Sequence, residues 1–193
     1  MSEAEAKLNL GAGAQRRPGY TNLDWNPANQ PDVLHDLNHC PYPFADNTFS
    51  LVEACHVLEH LDRPFEAMRE MHRILKPGAR LIVKVPHCSR GFTHAEHQHG
   101  FDVTFPLYFD PDFSILSGYA GVRFELVASR WRWLAFLQVL PKLGYGPGVI
   151  LFLRLLNGLL SGLANLAPHF CSRIWCFWVG GFEEISFEFI CRK

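Results

Sequence analysis

The stretch THAEHQHGFD, residues 93–102, sets His94, His97 and His99 among Glu96 and Asp102. Imidazoles two or three residues apart can hold a divalent metal, take a proton from a bound acceptor, or simply make a loop polar. The spacing leaves these three readings open, and no metal-ligand set is assigned from it. Three more histidines, His56, His60 and His87, stand just after apolar runs, where strand ends deliver side chains to a ligand.

A second chemistry belongs to LNLGAGA, residues 8–14. An apolar run that ends in Gly11-Ala12-Gly13 is how a buried parallel strand passes into a tight, ligand-facing turn. A dinucleotide fingerprint would need a third glycine and a helix N-terminus facing the pyrophosphate. Here Arg16 holds the third position and Pro18-Gly19 forbids a long helix. A phosphate loop of the Gly-Lys-Ser/Thr kind is also missing. The glycines remain suited to letting backbone approach a compact ligand. Asp24, at the end of the next apolar run, can accept hydrogen bonds from a ribose diol, and Asp36 follows another run. A nucleoside without phosphates, such as S-adenosylmethionine, fits the turn, the acids and the missing phosphate helix together.

These residues need a parallel sheet to bring them to one edge. Residues 6–11, 20–25 and 31–37 read as three short strands, and a fourth falls near 49–55. Asp62 is placed to cap a helix with Pro64 in its first turn. Phe65, Met68, His72 and Leu75 recur at helical spacing, with Glu66, Arg69, Glu70 and Arg73 toward water. Lys76-Pro77-Gly78 is expected to stop it. ARLIVKVP, residues 79–86, is nearly continuous in apolar character, as a central parallel strand should be. Residues 121–131 and 183–193 have strand composition and complete a seven-stranded, mostly parallel, doubly wound α/β sheet. One domain over 1–193 is expected, with an apolar helical insert over 132–180.

LNLGAGAQRRPGYTNLDWNP, PDVLHDLNHCPYPFADNTFSLVEACHVLEHL and MREMHRILKPGARLIVKVP, in that order, resemble the class I S-adenosylmethionine-dependent methyltransferases, in particular the methyltransferase type-11-like group. The resemblance covers about residues 7–110. It implies a Rossmann-like methyltransferase fold and S-adenosyl-L-methionine as cofactor. It implies that Gly11, Ala12 and Gly13 form the cofactor loop, and that Asp24, followed by Trp25, takes the ribose. Asp36 and Leu37 would border the adenine, and Cys55 and His56 would lie beside the cofactor. His97, ahead of GFDVTFPLYF, fits the segment that covers the acceptor; with His56 it is the candidate catalytic residue. The link from first to second strand is too short for the usual first helix, and Arg16 or Arg17 is left to neutralise the cofactor's carboxylate. Methyl transfer from a sulfonium needs alignment and exclusion of water, and a base only where the acceptor holds its proton tightly.

The insert is the other unusual feature. Residues 149–167 carry one charge, Arg154, and as a helix they show a narrow stripe of Arg154, Asn157, Ser161 and Asn165 on an otherwise apolar surface. It packs on the sheet, meets a second copy, lies in a membrane interface beside a greasy acceptor, or spans a bilayer. The expected acceptor is a small or lipid-linked molecule. Formal charge is −1, so no basic stripe recruits nucleic acid. Six scattered cysteines and the acidic N-terminal MSEAEAK, without an apolar core, lead to an expectation of a reduced, cytoplasmic protein, with membrane association through 149–167 left open. A methyltransferase-like protein without catalysis, serving as a binding or membrane adaptor, is the rival expectation.

Overall fold

A computed structural model describes residues 5–91, 94–113 and 119–193. Thr93 of the histidine stretch and the first four residues lie outside them.

Seven strands form one sheet in the order β3-β2-β1-β4-β5-β7-β6. They are β1 (Lys7–Leu10), β2 (Thr21–Asp24), β3 (Val33–Leu34), β4 (Phe49–Cys55), β5 (Leu75–Val85), β6 (Arg123–Arg132) and β7 (Glu184–Arg192). The first five are mutually parallel, and β7 runs antiparallel between β5 and β6. This is the seven-stranded, mostly parallel Rossmann-like sheet expected from the sequence. Leu8, Leu10, Leu23, Val52, Leu81 and Val83 are buried, as strands covered on both faces require.

The crossover from β1 to β2 has no helix. Side-chain amides hold it instead. Asn9 Nδ2 donates to Gln15 O and to Asn22 Oδ1, and Arg17 N donates to Asn22 Oδ1 at 2.8 Å. Asn22 in turn donates its backbone and side-chain N–H to Asp32 Oδ2 at 2.8 and 2.9 Å. Those two bonds hold the Asp32 carboxyl below its ordinary range. Arg16 pairs with Asp32, and Arg17 with the buried Glu53. Both arginines are engaged across the crossover, at positions the sequence alone left open. Short parallel crossovers otherwise strand backbone groups, and these side chains satisfy them.

Helix α1 (Pro64–Ile74) buries Ala67, Met68, Met71 and Ile74. Its N-cap is Arg63, with no side-chain cap bond, rather than Asp62. Asp62 is occupied with Asn38 and Gln98. The helix ends at Ile74, two residues before the expected stop at Lys76, because Leu75 is already extended and paired with Phe49. The next pairing joins Leu51 to Arg80, so Lys76-Pro77-Gly78 bulges out of the ladder. The outer face of α1 is not simply wet. Arg73 donates to the carbonyls of Tyr42 and Phe44 and to Glu70 and Asp46. Glu70 accepts from Tyr42 N, and Tyr42 Oη donates to Leu37 O at 3.2 Å. One helix face thereby fixes the loop after β3.

Helix α2 (Pro147–Leu166) is the apolar helix foreseen ahead of the last strand. Three of the four stripe residues, Asn157, Ser161 and Asn165, point inward, while Arg154 is exposed. Asn165 Oδ1 accepts from Trp131 N, Ser161 Oγ from Trp133 N, and Asn157 Oδ1 from Leu134 N. The asparagine Nδ2 groups return bonds to Trp131 O and Leu134 O. β6 is the sheet edge, and the stripe satisfies the backbone groups at its end. The leucines therefore face outward: Leu155 is 68% exposed.

His87, at the end of β5, is fully buried. Its ring nitrogens meet Ser89 Oγ at 2.6 Å and Ser172 Oγ at 3.1 Å, and its ring lies 4.7 Å from Trp131. Burial pushes its pKa down to about 4; Asp102 opposes this and Arg173 adds to it. An unfolded histidine takes up its proton near pH 6.5, while this one stays neutral. Stability is therefore whole above pH 6.5 and falls as pH drops toward 4. Between pH 7 and 4.5 the native chain should lose about 2–3 kcal/mol more than a His87→Gln variant, read from urea midpoints at each pH.

Candidate functional site

Leu10 is in register with Leu23 on one side and Ala54 on the other, so the ends of β1, β2 and β4 fall level. Strand order reverses between β1 and β4, and such a switch point opens a crevice at the carboxyl ends of the strands. A cleft of about 850 Å³ lies there. Gly11, Gly13, Asp24, Trp25, Asp36, Leu37 and His56 line it, as the sequence leads one to expect. Ala12, Cys55 and His97 do not. Ala12 is turned into the β1–β2 junction, its N–H on Leu23 O. Cys55 shares the Glu53 face of β4 by the alternation of the strand and receives Arg17 Nη2 at 3.6 Å. His97 lies against His60, ring centroids 4.8 Å apart.

The glycines are needed for different reasons. Gly11 has φ +61°, and a Cβ there would stand 2.4 Å from Val57 Cγ2. Gly13 has φ +51° and nothing within 4 Å of a built Cβ, so it leaves open space on the cleft. Between them the loop is fixed by Asp24. One carboxylate oxygen accepts from Gly13 N at 2.7 Å; the other accepts from Asn26 N at 2.8 Å and Asn29 Nδ2 at 3.1 Å. A carboxylate offers about four lone-pair sites, so roughly one remains for a ligand hydroxyl. The opposite wall is the Asp36–Asn38 turn, with Asn38 N on Asp36 Oδ1. Trp25 stands at the rim, 70% exposed, with its apolar ring free to stack on a flat ligand.

His56 occupies the floor with a left-handed backbone, φ 55°. Its Nδ1 meets Glu59 Oε1 at 3.2 Å and its Nε2 meets Glu184 Oε2 at 2.9 Å. Burial alone would lower its pKa, but the bonds to Glu184 and Glu59 outweigh burial and raise it to about 9. Glu184 is held below its ordinary range by the same bond, against its own burial. With both ring nitrogens bonded to carboxylates, His56 has no lone pair with which to relieve an acceptor of its proton. In this geometry His56 is a charged group on the cleft floor, held by Glu59 and Glu184. Glu59 and Glu184, which complete it, were not foreseen; the HVLEH spacing carried the signal for the first, and nothing local marked the second.

The histidine stretch is divided. His94 and His97 stack at 4.7 Å, and His97 meets His60. His99 goes instead to a separate cavity of about 300 Å³ with Cys88 and Asp102. Asp102 is engaged by Thr104 and Arg173. Ala95, Glu96 and Gln98 join His60 on the far rim of the cleft.

The lining is acidic, with Asp24, Asp36 and Glu96 against one cationic histidine. Such a cleft favours a ligand carrying positive charge.

Comparison with known proteins bears out the resemblance read from the sequence. Residues 19–83 match a family model described as a methyltransferase domain. A demethylmenaquinone methyltransferase of Chlamydia trachomatis serovar L2 is 43% identical over 49 residues, 25% of this chain and 20% of that protein. A ubiquinone/menaquinone biosynthesis C-methyltransferase of Ruegeria sp. is 46% identical over 41 residues, 21% of this chain and 16% of the relative. The chain thus spans a fifth or less of the length of these curated relatives. The crystal structure of a SAM-dependent methyltransferase from Archaeoglobus fulgidus superposes with TM-score 0.57 at 16% identity, over 97% of this chain and 86% of the other. At that identity the likeness shows the fold, which is the Rossmann-like methyltransferase fold.

The Asp24 carboxylate accepts three hydrogen bonds from the two loops beside it. An Asp24→Ala variant leaves those donors without it and should be about 2–4 kcal/mol less stable in urea denaturation, whereas Asp24→Asn, which keeps an acceptor, should lose less than half of that.

Proposed function

We propose that this chain is an S-adenosylmethionine-dependent methyltransferase acting on a small apolar or lipid-linked acceptor at the cytoplasmic face of a membrane. One observation carries the first half. The strand-edge cleft, with open glycine backbone at Gly13, a carboxylate at Asp24 and the Asp36–Leu37 turn opposite, lies in and beside the segment that matches the methyltransferase model.

The residues fit that cofactor. The cleft is large enough for a nucleoside amino acid, and its acidic lining suits a ligand with a sulfonium and an ammonium. Asp24 keeps about one acceptor site for a ribose hydroxyl. Trp25 and the Leu37 backbone, the latter braced by Tyr42, are the groups that would hold the purine. S-adenosylmethionine supplies a methyl group on a good leaving group, so the chain's task is alignment and a dry cleft. Ala95, Glu96 and Gln98 line the side left for the acceptor, next to His97 in the chain, whose ring packs on His60.

Helix α2 supports the second half. A soluble chain rarely exposes an apolar patch of this size. The outward face carries Val149, Phe152, Leu155, Leu159, Leu163 and Leu166, and Phe177 and Trp178 continue it. Between Glu125 and Glu183 there are five Lys or Arg and no Asp or Glu; Arg132 and Arg173 pair with Glu184 and Asp102, and the exposed Arg130, Lys142 and Arg154 are the cations left to meet anionic headgroups. The helix is long and apolar enough to cross a membrane, but its polar stripe is tied to the sheet edge, so it lies flat on the bilayer. The quinone-pathway names of the curated relatives agree with a greasy acceptor.

Two measurements test these halves. Calorimetry should find one site for S-adenosylmethionine and for S-adenosylhomocysteine, with Trp25→Ala weakening both about five- to thirtyfold. Absence of binding by either ligand would sink the enzyme reading in favour of the adaptor. Flotation with phosphatidylglycerol-containing vesicles should recover the protein. A Leu155→Glu/Leu159→Glu variant should stay in the bulk phase, and phosphatidylcholine alone should recover less. A concentration-dependent dimer in sedimentation equilibrium, with no flotation, would assign the face to a second copy.

A further inference from the structure

We infer a divalent-metal site in the wall of the cleft, formed by Glu59, His60 and His97. The candidate donor atoms of these three residues all lie within 4.8 Å of one another. They come from two separated segments: the turn after β4 and the loop after β5.

Each residue presents a free donor and is already held by its other atom. Glu59 is fully buried; its Oε1 accepts from His56, and its Oε2 has no partner. A buried carboxylate oxygen without a hydrogen bond is costly, and a cation is the chemistry that would satisfy it. His60 Nδ1 bonds to Glu96 O, and His97 Nδ1 bonds to Gly91 O. A carbonyl only accepts, so each Nδ1 carries the proton and each Nε2 keeps its lone pair. A ring nitrogen donating to a carbonyl while the other faces a metal is the usual outer support of an imidazole ligand. The His56 bond plays the same part for the carboxylate.

Two imidazoles and one carboxylate form the donor set of open zinc and iron(II) sites. Donors bound tetrahedrally to such an ion at about 2.1 Å stand about 3.4 Å apart, so the widest pair, within 4.8 Å now, must draw in by up to about 1.4 Å. His60 lines the cleft, which places the ion's remaining positions within reach of a ligand there. An oxygen acceptor bound to such an ion gives up its proton more readily. That service is one His56 cannot provide. The inference does not depend on methyl transfer, since the ion is held by protein atoms alone.

The test is zinc chloride titration of protein previously dialysed against a chelator, without any nucleoside, followed by cobalt(II) substitution. One equivalent per chain is expected, with visible d–d absorption from the cobalt form. His97→Asn and Glu59→Gln should each weaken binding at least tenfold. His94→Asn, which removes a ring stacked on His97 but outside the set, should change it less than threefold. Glu59→Gln also disturbs the His56 pair, so His60→Asn serves as its independent partner, each checked for folding by circular dichroism. Substoichiometric zinc binding, or binding that His60→Asn and His97→Asn leave intact, would overturn the site. Loss on His94→Asn with retention on His97→Asn would overturn it as well.

Discussion

Ten residues separate Leu10 from Thr21, and that shortness governs the cleft. A parallel crossover needs to leave the sheet, cover one face and return. With no room for a helix, the chain closes the loop on itself through Asn9, Asn22 and Asp32. Two consequences follow at the site. No helix N-terminus is available there to hold a phosphate, and both local arginines pair with acids, Asp32 and Glu53. What remains at the end of β1 is bare glycine backbone and the Asp24 carboxylate. The crossover that saves chain length thus turns a position that could bind anions into one that favours a cation.

A parallel argument explains α2. A sheet ending in β6 leaves a row of backbone groups on its edge. Asn157, Ser161 and Asn165, one turn apart, match that row. Once these three residues are spent on the edge, Arg154 is the one polar side chain the helix keeps for water. Its outward leucines are the direct result of how the sheet is finished. Edge protection and surface greasiness are here one structural fact.

Much of this was legible in the chain. Strand positions follow from apolar runs, and the ends of those runs name Gly11, Gly13, Asp24, Asp36 and His56 as neighbours, because parallel strands deliver their ends to one edge. The helix stop was misplaced because Leu75 could be read in the helical period or in the strand; pairing with Phe49 decided it. Arg16 and Arg17 looked available because their partners, Asp32 and Glu53, are distant in sequence. Cys55 was one residue out of phase, since alternation carries it to the Glu53 face. The stripe on α2 was visible, but its direction was not; only the unpaired edge of β6 tells which side of the helix is inside.

His56 and His87 show why site chemistry needs the fold. They close adjacent parallel strands, His56 following Cys55 and His87 following the end of β5. Desolvation acts on both against the charged form. One meets two carboxylates, the other two hydroxyls. A hydroxyl can donate or accept, so it serves a neutral ring and leaves burial to decide. A carboxylate only accepts, so two of them require two N–H groups and a charged ring. The deciding partner of His56 is Glu184, 128 residues away, brought in when β7 inserts beside β5. The last strand to join the sheet therefore sets the charge on the floor of a cleft built by the first four.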